Sequence, residues 1–239
     1  MSTRETLTLG ADRFRVGPWH ADAAIAYLTL PAEVPRPSVS GLHRCLEQLR
    51  DAGYTSIITA ALHPEEAESF VRAGFTEYDR LRVLSHDLQG LDPPRPRPDP
   101  AVRLVRARPG DRAAALEVDH DAFPLFWRLD EAGLDDALRA TPRRRFRLAV
   151  RRGEAVGYAV TGRTGRQAFL QRLAIHPDHA GRGVGSSLVL DAMHWASRRR
   201  VGRLLVNTQT TNERALHLYR RLGFQPTPTD LVVLTRPIA

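Results

Sequence analysis

The sequence predicts an α+β protein with a mixed sheet, arranged as two domains, and three observations carry that expectation. Residues 101–239 alternate short β-rich runs with helical stripes, some strands being joined by tight turns and others by helices. Hairpins and crossovers together give a mixed α/β sheet. Five prolines (Pro93, Pro94, Pro96, Pro98 and Pro100) crowd the stretch before it. Neither a helix nor a central strand can run through such a segment, which favours an extended, semi-rigid spacer. The charge divides at the same place: residues 1–90 carry 9 Arg against 12 Asp+Glu, and residues 91–239 carry 26 Arg against 15. The expected organisation is therefore a domain over 1–90, a proline-rich linker over 91–100 and a second domain over 101–239.

The elements of the second domain follow in order. Val102–Arg108 reads as a strand, and Pro109 then opens a helix to about Phe123, with Asp111 in its first turn as the positive helix N-terminus favours. A second helix covers Glu131–Ala140. Arg145–Arg152, Ala155–Thr161 and Ala168–Ile175 read as three strands, punctuated by Gly153, Gly162 and Gly165. Val184, Leu188, Ala192 and Trp195 form one stripe of a long helix. Leu204–Thr210 is β-rich. Ala215, Leu218, Tyr219 and Leu222 give a helix that Gly223 stops, and Leu231–Thr235 is the last strand.

Composition excludes several chemistries. All 35 basic residues of the 239-residue chain are arginine. Without lysine there is no P-loop, no kinase strand lysine and no Schiff base to pyridoxal phosphate. A lone cysteine, Cys45, forms neither an internal disulfide nor a Cys-x-x-Cys metal site and reads as a core residue; no metal ligands are expected. The first 21 residues contain no uninterrupted apolar stretch, and no run approaches the ~20 apolar residues of a membrane helix. A cytoplasmic location without a membrane partner is expected. The formal charge of +8 resides in the C-terminal part and implies an anionic partner, either nucleic acid or a polyphosphate cofactor. No helix–turn–helix or aromatic-interleaved basic stretch supports nucleic acid.

The most informative segment is LAIHPDHAGRGVGSSL, residues 173–188. A strand ends, a Pro-Asp turn follows, and Gly181, Gly183 and Gly185 alternate just before the long helix. Glycines there let the backbone approach a ligand closely, and the free N–H groups at a helix start receive an anion. A dinucleotide fingerprint does not fit, because Ser186 occupies its third glycine position and the acidic residue about 20 positions on is missing.

The glycine run AGRGVG (180–185), followed by NERALHLYRRLGF (212–224), resembles the GNAT superfamily of acetyl-CoA-dependent N-acetyltransferases. The resemblance spans about 101–239 in the expected element order, with Ala180 replacing the Gln or Arg that usually opens the cofactor motif. It implies the GNAT acyl-CoA N-acyltransferase fold, acetyl-CoA as cofactor and an acyl-carrier arm inserted between two splayed strands. By that resemblance, backbone groups of Leu173 and Ile175 pair with the pantetheine, and Gly181, Arg182, Gly183, Val184, Gly185 and Ser186 cradle the pyrophosphate. Asn212 contacts the cofactor arm, although an Asn there serves equally as an N-cap. The resemblance makes Tyr219 the general acid to the CoA thiolate; its competing reading is a core aromatic of the apolar stripe.

The general base stays open. The strand AFLQRLAI contains no carboxylate, and Glu117, Asp119, His120 and Asp121 each read as solvated residues of the first helix. The acceptor is a primary amine, on a small molecule or a protein N-terminus. AFP followed by Trp127 is loosely similar to ribosomal-protein alanine N-acetyltransferases, and reads equally as a loop packed on the sheet.

A shift of 149 residues lays 54–75 on 203–224 without a gap, with Thr59, Arg72, Gly74 and Phe75 on Thr208, Arg221, Gly223 and Phe224. Phe70 falls on Tyr219, and VPRPSVSG (34–41) stands where the glycine loop would be. The first domain is therefore expected to be a degenerate, structural GNAT half. This is similar to tandem acetyltransferases of the mycothiol-synthase type. Two functions follow: an N-acetyltransferase acting by direct attack of the amine, or a catalytically silent acyl-CoA-binding sensor.

Overall fold

A computed structural model describes residues 5–20, 22–31, 35–88, 101–199 and 201–238. In chain order the first elements are β1 (Glu5–Leu9), β2 (Asp12–Trp19), β3 (Asp22–Thr29), α1 (Val39–Asp51), β4 (Ser56–Thr59), α2 (Pro64–Arg72) and β5 (Thr76–Asp87). Then come β6 (Val102–Arg106), α3 (Arg112–Ala122), α4 (Glu131–Arg139), β7 (Arg143–Arg151), β8 (Glu154–Thr164) and β9 (Gln167–Ile175). The chain closes with α5 (Val184–Ser197), β10 (Arg203–Gln209), α6 (Glu213–Arg221), β11 (Gln225–Pro226) and β12 (Leu231–Pro237).

Two compact units result: one of Met1–Val83, Gln209–Thr211 and Thr227–Ala239, the other of Leu84–Thr208 and Asn212–Pro226. They divide the chain differently from the sequence boundaries of 1–90 and 101–239. The physical reason is β12, which hydrogen-bonds antiparallel to β4 (Thr235↔Ile58) and to the first part of β5 (Leu231↔Leu81). The linker expected at 91–100 lies outside the described residues.

In the first unit β1, β2 and β3 form an antiparallel meander, and β4 joins β3 in parallel through the crossover helix α1. The stripe Leu42, Cys45, Leu46 and Leu49 buries α1 against Phe14, Leu28, Ile57 and Phe70. Pro64 and Glu66 start α2: proline suits the first helical turn, and the Glu66 carboxylate accepts the His63 N–H at 2.8 Å.

In the second unit β6–β7–β8–β9 is an antiparallel meander, and β10 joins β9 in parallel through α5. β8 is buried from Val156 to Gly162 because helices cover both faces. Tyr158 and Val160 point into a core with Leu116 and Val118 of α3 and Leu134 and Leu138 of α4. Ala159 points the other way, toward Leu188 and Ala192 of α5. The single turn Pro109–Asp111 precedes α3, so the first expected helix begins as predicted but with a tighter turn.

Candidate active site

The parallel pair β9–β10 is hydrogen-bonded only at one end. Its register runs from Arg203↔Gln167 to Val206↔Leu170, while β9 continues to Ile175 and β10 to Gln209. On its other side β9 stays paired with β8 as far as Gly157↔Ile175. The His176 N–H reaches back to the Val156 carbonyl of that side at 3.1 Å. Backbone groups alternate along a strand, so the N–H and C=O of Leu173 and Ile175 face the side from which β10 has parted. An extended chain can hydrogen-bond there.

Beyond β9 the chain makes a single turn, Pro177–His179, and enters the glycine loop. Gly181 and Gly183 have φ of +74° and +79°, a left-handed backbone that other residues adopt at a cost. A Cβ at Gly181 would meet nothing within 4 Å, so the loop opens onto free space there. Gly183 is the N-cap of α5, and the first bond back into the helix is from the Ser187 N–H to the Gly183 carbonyl. The N–H groups of Val184, Gly185 and Ser186 therefore have no intrahelical acceptor. They point out of a 14-residue helix at its positive end.

Side chains reinforce that charge. Arg221 of α6 donates through Nη2 to the Ser186 hydroxyl at 3.0 Å. Partial burial, and then the guanidiniums of Arg151 and Arg182, hold the His179 imidazole below its ordinary value. Two further glycines permit close packing: a Cβ at Gly185 would meet Leu218 of α6 at 3.2 Å, and one at Gly157 would meet Val184 at 3.2 Å. Open N–H groups, a cationic surround and a free strand edge fit a ligand that carries phosphates on an extended arm.

The α6 candidates lie beside this site. Asn212 is the N-cap, its Oδ1 accepting the Ala215 N–H at 3.1 Å. Tyr219 is 4% exposed and shares a core with Leu173, Ile175, Leu188 and Phe224. Burial pushes its phenol above the ordinary tyrosine range, so it keeps its proton at neutral pH.

On the opposite face of the sheet, one expectation is corrected. Asp119 is not a solvated helix residue: it is fully buried. Arg172 of β9 donates to both its oxygens, Nε to Oδ2 at 2.7 Å and Nη2 to Oδ1 at 2.8 Å. The Tyr158 hydroxyl donates to Oδ2 at 2.6 Å and the Leu129 N–H to Oδ1 at 2.8 Å. A carboxylate engaged this fully is no free base. His120 is hydrogen-bonded through Nε2 to the Leu129 carbonyl, Asp121 lies 3.3 Å from His176 Nε2, and Glu117 is exposed. Arg172 escaped the sequence reading, although a charge inside the apolar strand FLQRLAI is the signal for a buried ion pair. Among the described residues no cluster of His, Cys, Asp or Glu could hold a metal ion, and no helix is long and apolar enough to cross a membrane.

The first unit's crossover offers a contrast. β3 and β4 pair in register from Ile25↔Ser56 to Leu28↔Thr59, and further bonds at Thr55 and Ala60 extend the ladder at both ends. At the start of α1, the Asp12 carboxylate accepts the Ser38 N–H at 2.8 Å and the Ser38 hydroxyl at 2.7 Å. Ser38 in turn caps the Gly41 N–H at 2.9 Å. A Cβ at Gly41 would collide with the Asp12 carboxylate. Phe70, fully buried, stands on α2.

A meander running into a parallel pair that parts beside an anion-ready helix defines an acyl-CoA N-acyltransferase fold. A solved tandem GNAT protein from the clavulanic acid biosynthesis pathway shares it over 95% of this chain and 79% of its own, at a TM-score of 0.70 and 18% identity. Residues 112–224, most of them in the second unit, match the Acetyltransferase (GNAT) family. Among curated relatives, the mycothiol acetyltransferase of Streptomyces coelicolor is 32% identical over 68% of this chain and 55% of its own length. That of Amycolatopsis mediterranei is 28% identical over 71% and 61%. The chain thus spans less than two thirds of the length of these two relatives.

Proposed function

We propose that the chain is an N-acetyltransferase that moves an acetyl group from acetyl-CoA to a primary amine, with one cofactor site, in the second unit. The observation that carries this reading is the parting of β9 and β10 directly before an open glycine loop. Acetyl-CoA, when bound, supplies an activated thioester. Backbone groups of Leu173 and Ile175 bind the extended arm. The N–H groups of Gly181 to Ser186, with the Arg182 side chain, hold the pyrophosphate. Asn212 already caps α6, which leaves its amide nitrogen for the arm. Tyr219 is the general acid of this reading, its Oη proton passing to the departing thiolate. The acceptor amine approaches from the α3–α4 face, and family relatives named mycothiol acetyltransferases make an amine of that class the first candidate. A cytoplasmic location goes with this reading.

An acceptor screen that follows CoA release tests the proposal, with mycothiol precursors, alanyl peptides, aminoglycosides and polyamines as amines. Turnover with one class is the expected result. CoA binding without release of thiol to any amine would replace the enzyme by a silent acyl-CoA sensor.

A further inference from the structure

We propose that Arg172 is a positioning residue that fixes the acceptor-side segment 123–129; the proposal rests on the acetyltransferase reading above. Its side chain does four things at once. Two of its nitrogens hold both oxygens of the buried Asp119. Nη2 also donates to the Trp127 carbonyl at 2.7 Å, and Cζ lies 3.6 Å from the centre of the Phe123 ring. Asp119 completes the clamp by accepting the Leu129 N–H. The segment is thus held at its start, its middle and its end by one guanidinium and its carboxylate partner.

The same segment presents Leu125, 66% exposed, from the turn Leu125–Trp127. A large apolar side chain held outward on a pinned turn is a contact surface for an acceptor. The strand position matters as well. Arg172 lies next to Leu173, whose backbone faces the parted edge, so one stretch of β9 reads the cofactor with its main chain and sets the acceptor segment with a side chain. Arginine is needed for this geometry: its planar fork spans two carboxylate oxygens and a carbonyl, which a lysine ammonium cannot do from one position. Tyr158 supports the clamp from below. Burial, then the Asp119 charge, push its phenol well above the ordinary range, so it remains a donor to Asp119.

The test compares the full-length wild type with Arg172→Lys and with the double variant Asp119→Asn, Arg172→Gln. The double variant leaves no unpaired buried charge and so guards against simple unfolding. Amide hydrogen exchange over 123–129 should accelerate at least tenfold in both, while exchange in α5 and the CoA dissociation constant stay within twofold. With a mycothiol precursor, kanamycin or an alanyl hexapeptide as acceptor, whichever the wild type acetylates fastest, acceptor KM should rise at least tenfold and acetyl-CoA KM less than twofold. Unchanged protection of 123–129, loss of CoA affinity in step with it, or an unchanged acceptor KM would overturn the proposal. If the wild type acetylates none of these amines, the acetyltransferase reading is weakened separately, and the exchange measurement alone decides the clamp.

Discussion

Helices α1 and α5 occupy the same place in their units: each is the crossover between two parallel strands. Their N-termini differ. At α1 the Asp12 carboxylate already sits on the first turn through Ser38, and Gly41 is the residue small enough to let it in. At α5 the first turn is bare, framed by Gly181 and Gly183 with positive φ. The strands beside them differ in the same sense, β3–β4 paired along their length and β9–β10 parting after Val206↔Leu170. Position 219 is a tyrosine where its counterpart, 70, is a phenylalanine. The lesson is that two crossovers of the same plan differ in strand separation, in the freedom of the helix start and in the hydroxyl at position 219, and the proposed cofactor site lies where all three are present. In the first unit each of the three has been replaced by a stabilising contact.

The largest expected effect erases the difference at position 219. Tyr219→Phe gives α6 the side chain of α2, and CoA release should slow by about 10²- to 10⁴-fold. CoA affinity, followed by calorimetry, should not change. A variant as fast as the wild type would leave Tyr219 a core aromatic only.

Gly183→Val attacks the helix start. A side chain in the left-handed region costs about 1–2 kcal/mol, so CoA affinity should fall about tenfold or more. The rise in Tm that CoA gives the wild type should shrink accordingly. In the first unit, Asp12→Ala removes the carboxylate that holds the Ser38 cap; loss of a cap costs about 0.5–2 kcal/mol, readable as a lower urea midpoint. CoA affinity should stay at the wild-type value, because the proposed cofactor site lies in the second unit.

The smallest effect concerns the carboxylate that anchors α5. Burial by itself would raise Asp191, but hydrogen bonds from Arg145 and Arg147 outweigh it and hold the carboxyl below its ordinary value of about 3.9. A folded value below the unfolded one stabilises the fold above about pH 4 and is lost as pH falls through the folded value. Wild type should therefore lose stability below about pH 4 more steeply than Asp191→Asn. Parallel acid profiles would remove Asp191 from the account.

Much of the second unit was legible because its signals are local. The alternating glycines of 181–185 need only neighbouring residues to be read, and the stripe Ala215, Leu218, Tyr219, Leu222 marks α6 with Asn212 at its cap. The element boundaries in that unit match the expected ones to within a few residues. What escaped depends on distant partners. β12 reads as a strand, but nothing in Leu231–Thr235 says that it pairs with Ile58, 177 positions earlier than Thr235. Asp12 carries no local mark of its partner, because Ser38 is brought to it from 26 residues away. Asp119 sits on a helix in a run of polar residues, and its burial follows from Arg172, which lies 53 positions on in a strand. Long-range pairing of polar groups leaves no periodicity, so a charge inside an apolar strand was the clue available.

The central claim is that one of the two units binds the cofactor. Isothermal titration of CoA into the full chain tests it most directly. The account predicts one site per chain, weakened by Gly183→Val and untouched by Asp12→Ala. Two sites per chain, or a single site that Gly183→Val leaves at full affinity, would contradict it.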